Sequence, residues 1–201
     1  MIETPWGYDI DAESMPTILT VEEFNTLTAN KYASDQRVAS TLASATSAMR
    51  NWCGWHLSGN VSCQITYAFY DLHITHTHHG MSIILPTRCL TEVTHIDMDG
   101  EDATGSVFHV KRRGQVDLYG CRKYFKKITI TFKSGLSDDG IKAVLASRVS
   151  NTLSGPVGVN SESAGGVSIS YAASYVAGAS STTLLTADKE FLEAYKIEEM
   201  L

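Results

Sequence analysis

Four of the chain's seven histidines stand within nine residues, in the stretch LHITHTHHG from Leu72 to Gly80. Imidazole is the commonest transition-metal ligand and titrates near neutral pH, so metal-assisted hydrolysis is the first chemistry to weigh. His76 and His78 would be the candidate ligands, with Asp71, Asp97 or Asp99 as a carboxylate partner. The spacing argues against it. On a strand, side chains alternate, so His76 and His78 share one side while His73, Thr75, Thr77 and His79 share the other. No side collects more than two neighbouring imidazoles, whereas a catalytic zinc takes three protein ligands, and the sequence has no His-Glu-x-x-His. Gly80 ends the run as a turn would, so the expectation is a polar hairpin tip with no cofactor.

A second constellation is basic. Lys111, Arg112, Arg113, Arg122, Lys123, Lys126 and Lys127 face only Asp117 in the same stretch, a local +6 that leaves −12 for the rest of a chain whose net charge is −6. Tyr119, Tyr124 and Phe125 are interleaved with these cations, as in surfaces that stack single-stranded bases. A sequence-reading nucleic-acid binder carries its basic excess over a whole domain, and this chain does not. The patch is expected to be a solvated face, a contact to an acidic protein surface, or a sparse contact to DNA.

With 201 residues and 43% hydrophobic content the chain is long enough for one substantial domain with appendages. No run approaches 18 apolar residues and the first residues lack a basic-then-apolar leader, so neither a membrane span nor an export signal is expected. Cys53, Cys63, Cys89 and Cys121 form no Cys-x-x-Cys pair, which reads as buried thiols and not as a zinc knuckle or disulfide framework.

The elements that must position these residues follow from periodicity. Thr20 and Glu23 form a capping box, with Leu19 and Phe24 as its hydrophobic staple. Val38, Leu42, Ala45, Met49 and Trp52 make one stripe of a helix over about 35–52. From Val61 the period becomes two, and strands are expected at 61–69, 82–85, 92–98, 107–111, 115–119 and 127–133, joined by short turns as in antiparallel meanders. A helix carrying Ile141, Val144, Leu145, Val149 and Leu153 runs to Gly155-Pro156. Gly and Ser supply 13 of the 28 residues from Ser154 to Ser181, a linker composition, before a final helix over 186–200 with Phe191, Leu192 and Tyr195 on one face. That face needs a groove, in this subunit or in another. The fold class is α+β: a small helical bundle with an inserted antiparallel β-region. The organisation expected is an N-terminal arm over 1–18, a helical core over 19–155 with the β-rich insertion at about 61–133, and a Gly/Ser-rich arm with its helix over 156–201.

In order, the helix end NWCGWHL, the strand region opening near ILPTRCLTEVTHIDMDGE, the run ITITFKSGLSDDGIKAVLASRV, the segment VNSESAGGVSISYA and the terminal LLTADKEFLEAYK resemble the head-to-tail connector (adaptor) proteins of tailed bacteriophages, in particular longer members with an inserted strand region. The resemblance runs from about Leu19 to Tyr195. It implies a homo-oligomeric ring, commonly a dodecamer, assembled in the host cytoplasm and built into the virion neck beneath the portal protein. A neck stopper or tail protein attaches below, and packaged double-stranded DNA passes through without sequence-specific binding. It carries over no catalytic residue. It makes the segment from Val157 to Leu201, with Tyr171, Phe191, Leu192 and Tyr195, the candidate for portal or neighbour contact. The alternatives are a stopper or tail-completion protein and, from another class, a hydrolase built on the histidine run.

Overall fold

The computed structural model describes residues 1–71, 73–111, 113–120, 124–154, 161–164, 167–170 and 184–197. The chain divides into two compact units, one of Met1–Thr17, Gly54–Ser137 and Tyr195–Leu201, the other of Ile18–Cys53 and Asp138–Ala194.

The first unit is built of antiparallel strands. β1 (Ile2–Glu3), β2 (Asp9–Ile10), β3 (Val61–Ala68), β10 (Lys127–Ser134), β6 (Leu90–Met98) and β7 (Glu101–Asp102) form a six-stranded sheet in that order. β4 (Ile74–His76), β5 (Gly80–Ile84), β9 (Gln115–Tyr119) and β8 (Val107–Val110) form a four-stranded one. Alternation puts Cys63, Ile65, Ile96, Ile128, Ile130 and Phe132 of the larger sheet into one apolar cluster with Met81, Ile83, Val116 and Leu118 of the smaller. Each large side chain in that cluster contributes about 1.5–3 kcal/mol of gross burial. Tyr67 joins the two sheets by donating its hydroxyl to the Ile84 carbonyl at 3.0 Å.

Two turns show why particular residues are needed. Between β6 and β7, Asp99 and Gly100 both have positive φ (55° and 87°), the conformation of a tight type I′ hairpin turn. At Gly80, opposite Tyr119 in the ladder, a Cβ would lie 1.8 Å from the Leu118 carbonyl oxygen, so only glycine lets β5 and β9 pair there.

The first residues, expected as an arm, are part of this unit. Ile2 pairs with Ile10, Ile10 pairs with Cys63, and Tyr8 and Ile10 are buried. Strands of two residues have no visible period, which is why the sequence pattern shows none. Tyr8 also anchors a buried network: its hydroxyl bonds His56 Nδ1 at 2.8 Å and accepts the His56 N–H at 3.1 Å. His56 Nε2 lies 3.2 Å from the Ser134 carbonyl, which makes it the protonated nitrogen.

The second unit holds the helices. In α1 (Val21–Leu27) the capping box is formed: Thr20 Oγ1 accepts the Glu23 N–H at 3.1 Å, and Glu23 accepts the Thr20 N–H at 2.9 Å. α2 (Val38–Cys53) buries Val38, Leu42, Ala45, Met49 and Cys53, and α3 (Asp139–Ser154) buries Ile141, Leu145, Val149 and Leu153. The α1–α3 contact carries the Lys142–Glu23 ion pair at 2.6 Å, and Tyr32 reaches the end of α3 by bonding the Ser150 carbonyl at 3.2 Å. β11 (Ser161–Ala164) and β12 (Val167–Ser170) pair as a short hairpin.

The final helix, α4 (Thr186–Leu192), packs on α2. It is shorter than the pattern predicts: Glu193–Tyr195 forms one 3₁₀ turn, and residues 198–200 lie outside the described ones. Trp55 Nε1 donates to the Tyr195 carbonyl at 2.7 Å and Arg88 Nε to the Lys196 carbonyl at 2.6 Å. These two bonds hold the chain at and just beyond the 3₁₀ turn.

Candidate functional site

The histidine run folds as the β4–β5 hairpin. Its tip is closed by Thr77, whose N–H donates to the Gly80 carbonyl at 2.9 Å while its hydroxyl accepts the Gly80 N–H at 3.1 Å. His76 turns onto aromatic rings. Its ring centroid lies 4.5 Å from Phe69 and 6.3 Å from Phe125, and Nε2 donates to the Phe69 carbonyl at 3.2 Å. His79 leans towards Tyr119 at 5.9 Å, and His73 approaches the Tyr67 ring at 5.3 Å. Among the described residues no group of three or more His, Cys, Asp or Glu could hold a metal ion. The carboxylates considered as partners have structural duties. Asp71 accepts the His73 N–H at 3.0 Å, Asp97 accepts the Gly100 N–H at 3.1 Å, and Asp99 accepts the Lys126 and Lys127 N–H groups, each at 2.9 Å.

What collects at this end of the strand unit is aromatic surface. Phe69 touches Tyr70 (4.8 Å), Tyr124 (5.7 Å) and Phe125 (5.2 Å), and Tyr119 touches Phe108 at 6.0 Å. Phe125 is buried and anchors the group, but Tyr70 is 91% exposed, Phe108 and Tyr124 78% each, and Tyr119 58%. Large rings left in water at this density mark interaction surfaces in soluble proteins. Sequence reasoning noted Tyr119 and Tyr124 among the cations and passed over Tyr70 and Phe108. The Phe69-Tyr70 and Tyr124-Phe125 pairs at strand ends were the available signal, because strand ends project side chains past the sheet.

The described cations of the basic stretch lie towards two ends of one strand. Lys111 and Arg113 border the β8–β9 turn, while Lys126 and Lys127 lie beyond the other end of β9. That strand spans about 13 Å at its usual rise. Lys111 Nζ donates to Gln115 at 2.8 Å, and Gln115 bonds Ser82 and Asp117 at 3.0 and 2.8 Å. Burial acts to raise Asp117, but the hydrogen bonds from Ser82 and Gln115 and the charges of Lys111 and His109 outweigh it and hold this carboxyl below the ordinary range. Arg112, Arg122 and Lys123 lie outside the described residues.

The candidate C-terminal contact residues separate too. Leu192 is fully buried, its carbonyl 3.9 Å from Cys53 Sγ, while Phe191 is 39% exposed with its ring against Gly140. Tyr195 is half-buried, and Tyr171 lies outside the described residues. Cys53, Cys63 and Cys89 are buried, and burial pushes the Cys63 thiol up to about 12. No helix among the described residues is long and apolar enough to cross a membrane.

The described residues thus present an exposed aromatic end and the partly exposed face of α4. No curated protein matches the chain. A family model does: that of the head completion proteins matches residues 17–176, well over half of the length. The chain therefore belongs to the head completion protein family, the structural head–tail adaptors of bacteriophage particles.

Proposed function

We propose that copies of this chain close into a ring, a dodecamer by likeness to the connector proteins, that docks beneath the portal protein. The ring prolongs the DNA channel and offers the next neck stopper or tail component its attachment surface. The observation that carries the reading is the family match over residues 17–176. The electrostatics agree with it: a chain of net charge −6 suits a conduit whose wall repels phosphate, so packaged duplex slides and does not adhere. The work is geometric and no bond is made or broken. The virion neck, after assembly in the host cytoplasm, is the corresponding location.

The rival within the same family is a stopper or tail-completion protein, which sits lower and captures tail instead of portal. Incubating the purified chain separately with isolated portal rings and isolated tails decides between them. Stable capture on portal, with density for a labelled copy directly below the portal in particle images, is the expected result. Capture by tails alone would move the chain to the stopper position, and absence from particles would overturn both readings.

A further inference from the structure

The aromatic end of the strand unit and the α4 face carry opposite charge. At the first, Tyr70, Phe108, Tyr119 and Tyr124 stand out of the surface, bridged by the β4–β5 turn with His76 and His79 against neighbouring rings. Lys126 and Lys127 flank them, exposed, and neither side chain makes an ion pair among the described residues. Elsewhere Lys133, Lys142 and Arg37 are matched by Glu92, Glu23 and Asp35. At the second, Phe191 is 39% exposed with its ring tip on Gly140, and Ala187 and Ala194 lie four residues before and three after it. Both alanines are exposed. Glu190 and Glu193 border this face, also exposed and also without an ion pair among the described residues.

We infer that the aromatic end of one copy docks on the α4 face of the next copy, rings onto the Ala187–Phe191–Ala194 surface and Lys126 and Lys127 towards Glu190 and Glu193. The contact joins two different surfaces and is therefore heterologous, the kind that generates a closed ring when the rotation permits. The inference rests on the ring proposed above. The four exposed rings present roughly 450–750 Å² of surface, close to the ~800 Å² per side that a standard protein interface buries. A nucleic-acid strand fits the same end less well. The two unmatched lysines among the described residues would neutralise about two phosphates, fewer than the roughly six to ten contacts of a strongly salt-dependent duplex binder. Tyrosine beside an unmatched cation is instead the composition of a protein contact centre.

The test follows self-association of the full chain by sedimentation, alone at rising concentration and in the presence of portal rings. Lys126→Glu with Lys127→Glu should weaken association at least about tenfold by placing four acids together, and Glu190→Lys with Glu193→Lys should do the same. All four changes in one chain reverse the polarity of the whole contact and should restore association to within about threefold of the original. Tyr70→Ala with Tyr124→Ala should cost about thirtyfold or more while circular dichroism stays native. Association that ignores the charge reversals, or that the fourfold variant does not recover, overturns this docking while leaving the ring intact. Failure to associate with or without portal overturns the ring and the docking together. Retention of a single-stranded oligonucleotide that depends on Lys126 and Lys127, with association unchanged, assigns the surface to nucleic acid and overturns the inference.

Discussion

Replacing Leu192 by alanine separates two meanings of the C-terminal helix. If α4 were an arm that finds its groove only on another protein, the isolated subunit would not feel the change. The structure places Leu192 at zero exposure beside Cys53, with Lys189 seated 4.6 Å over the Trp52 ring one turn earlier. A buried Leu→Ala change removes the transfer energy of the lost methyl groups and leaves a cavity, together about 2–5 kcal/mol. For a chain of this size each kcal/mol moves Tm by about 2–4 °C, so a mid-range loss of about 3 kcal/mol lowers it by about 6–12 °C. The assay is thermal unfolding by far-ultraviolet circular dichroism at two dilutions, which excludes an effect borrowed from an oligomer. Phe191→Ala, at a half-exposed neighbour, should cost about 1 kcal/mol or less and serves as the control. Leu192→Ala melting with the unsubstituted chain, or losing stability only at high concentration, would refute home packing and return α4 to the status of an arm.

Gly80→Ala should unfold the four-stranded sheet or lower its stability by about 3 kcal/mol or more, because the new methyl has no space against the Leu118 carbonyl; chemical denaturation followed by tyrosine fluorescence reads it. Tyr8→Phe deletes both hydrogen bonds to His56 and should cost about 1–3 kcal/mol in the same assay, whereas the exposed Tyr70→Phe should be silent. Glu23 is held below its ordinary value, first by the hydrogen bond from Lys142 and then by the Thr20 N–H. A depressed carboxyl contributes stability above its unfolded value of 4.5 and loses it as pH falls through the lower folded value. Glutamine keeps the capping geometry, so the stability gap between the unsubstituted chain and Glu23→Gln should be open at pH 6 and close below about pH 4, and a gap that does not change with pH would contradict the ion pair. Cys63, raised to about 12 by burial, should resist a thiol reagent at pH 8 until denaturant is added, and Cys53 and Cys89, buried with it, should behave alike.

Local signals were legible in the sequence wherever one element contained the whole cause. The capping box at Thr20 and Glu23 needs four adjacent residues, and it is present bond for bond. β9 falls on Gln115–Tyr119 because its alternation is uninterrupted and glycine turns bound both ends. The hairpin at the histidine run was readable from Gly80 and from the lack of any side collecting three imidazoles. The α+β class follows from the switch of period at Val61. What was not legible depended on partners remote in sequence. β1 and β2 exist because Ile10 finds Cys63, and a two-residue strand carries no rhythm of its own. The chain just beyond the last helix is held by Trp55 and Arg88, more than a hundred residues away.

The basic patch shows how proximity in sequence misleads when the segment is a hairpin. Seven cations within seventeen positions read as one surface, yet a strand between them is a ruler that carries Lys111 and Arg113 to one end of the sheet and Lys126 and Lys127 to the other. The same geometry that divides the charge concentrates the rings: Tyr70 follows β3, Tyr119 ends β9 and Tyr124 precedes β10, and an antiparallel meander returns all of these termini to one end. The C-terminal segment follows a parallel logic. Ser154, bonded to the Tyr32 hydroxyl at 2.5 Å, and the buried Leu184 lie in one unit. Between them the composition spells a linker, and the face of α4 opposite Leu192 stays outward. That face carries Phe191, Glu190 and Glu193.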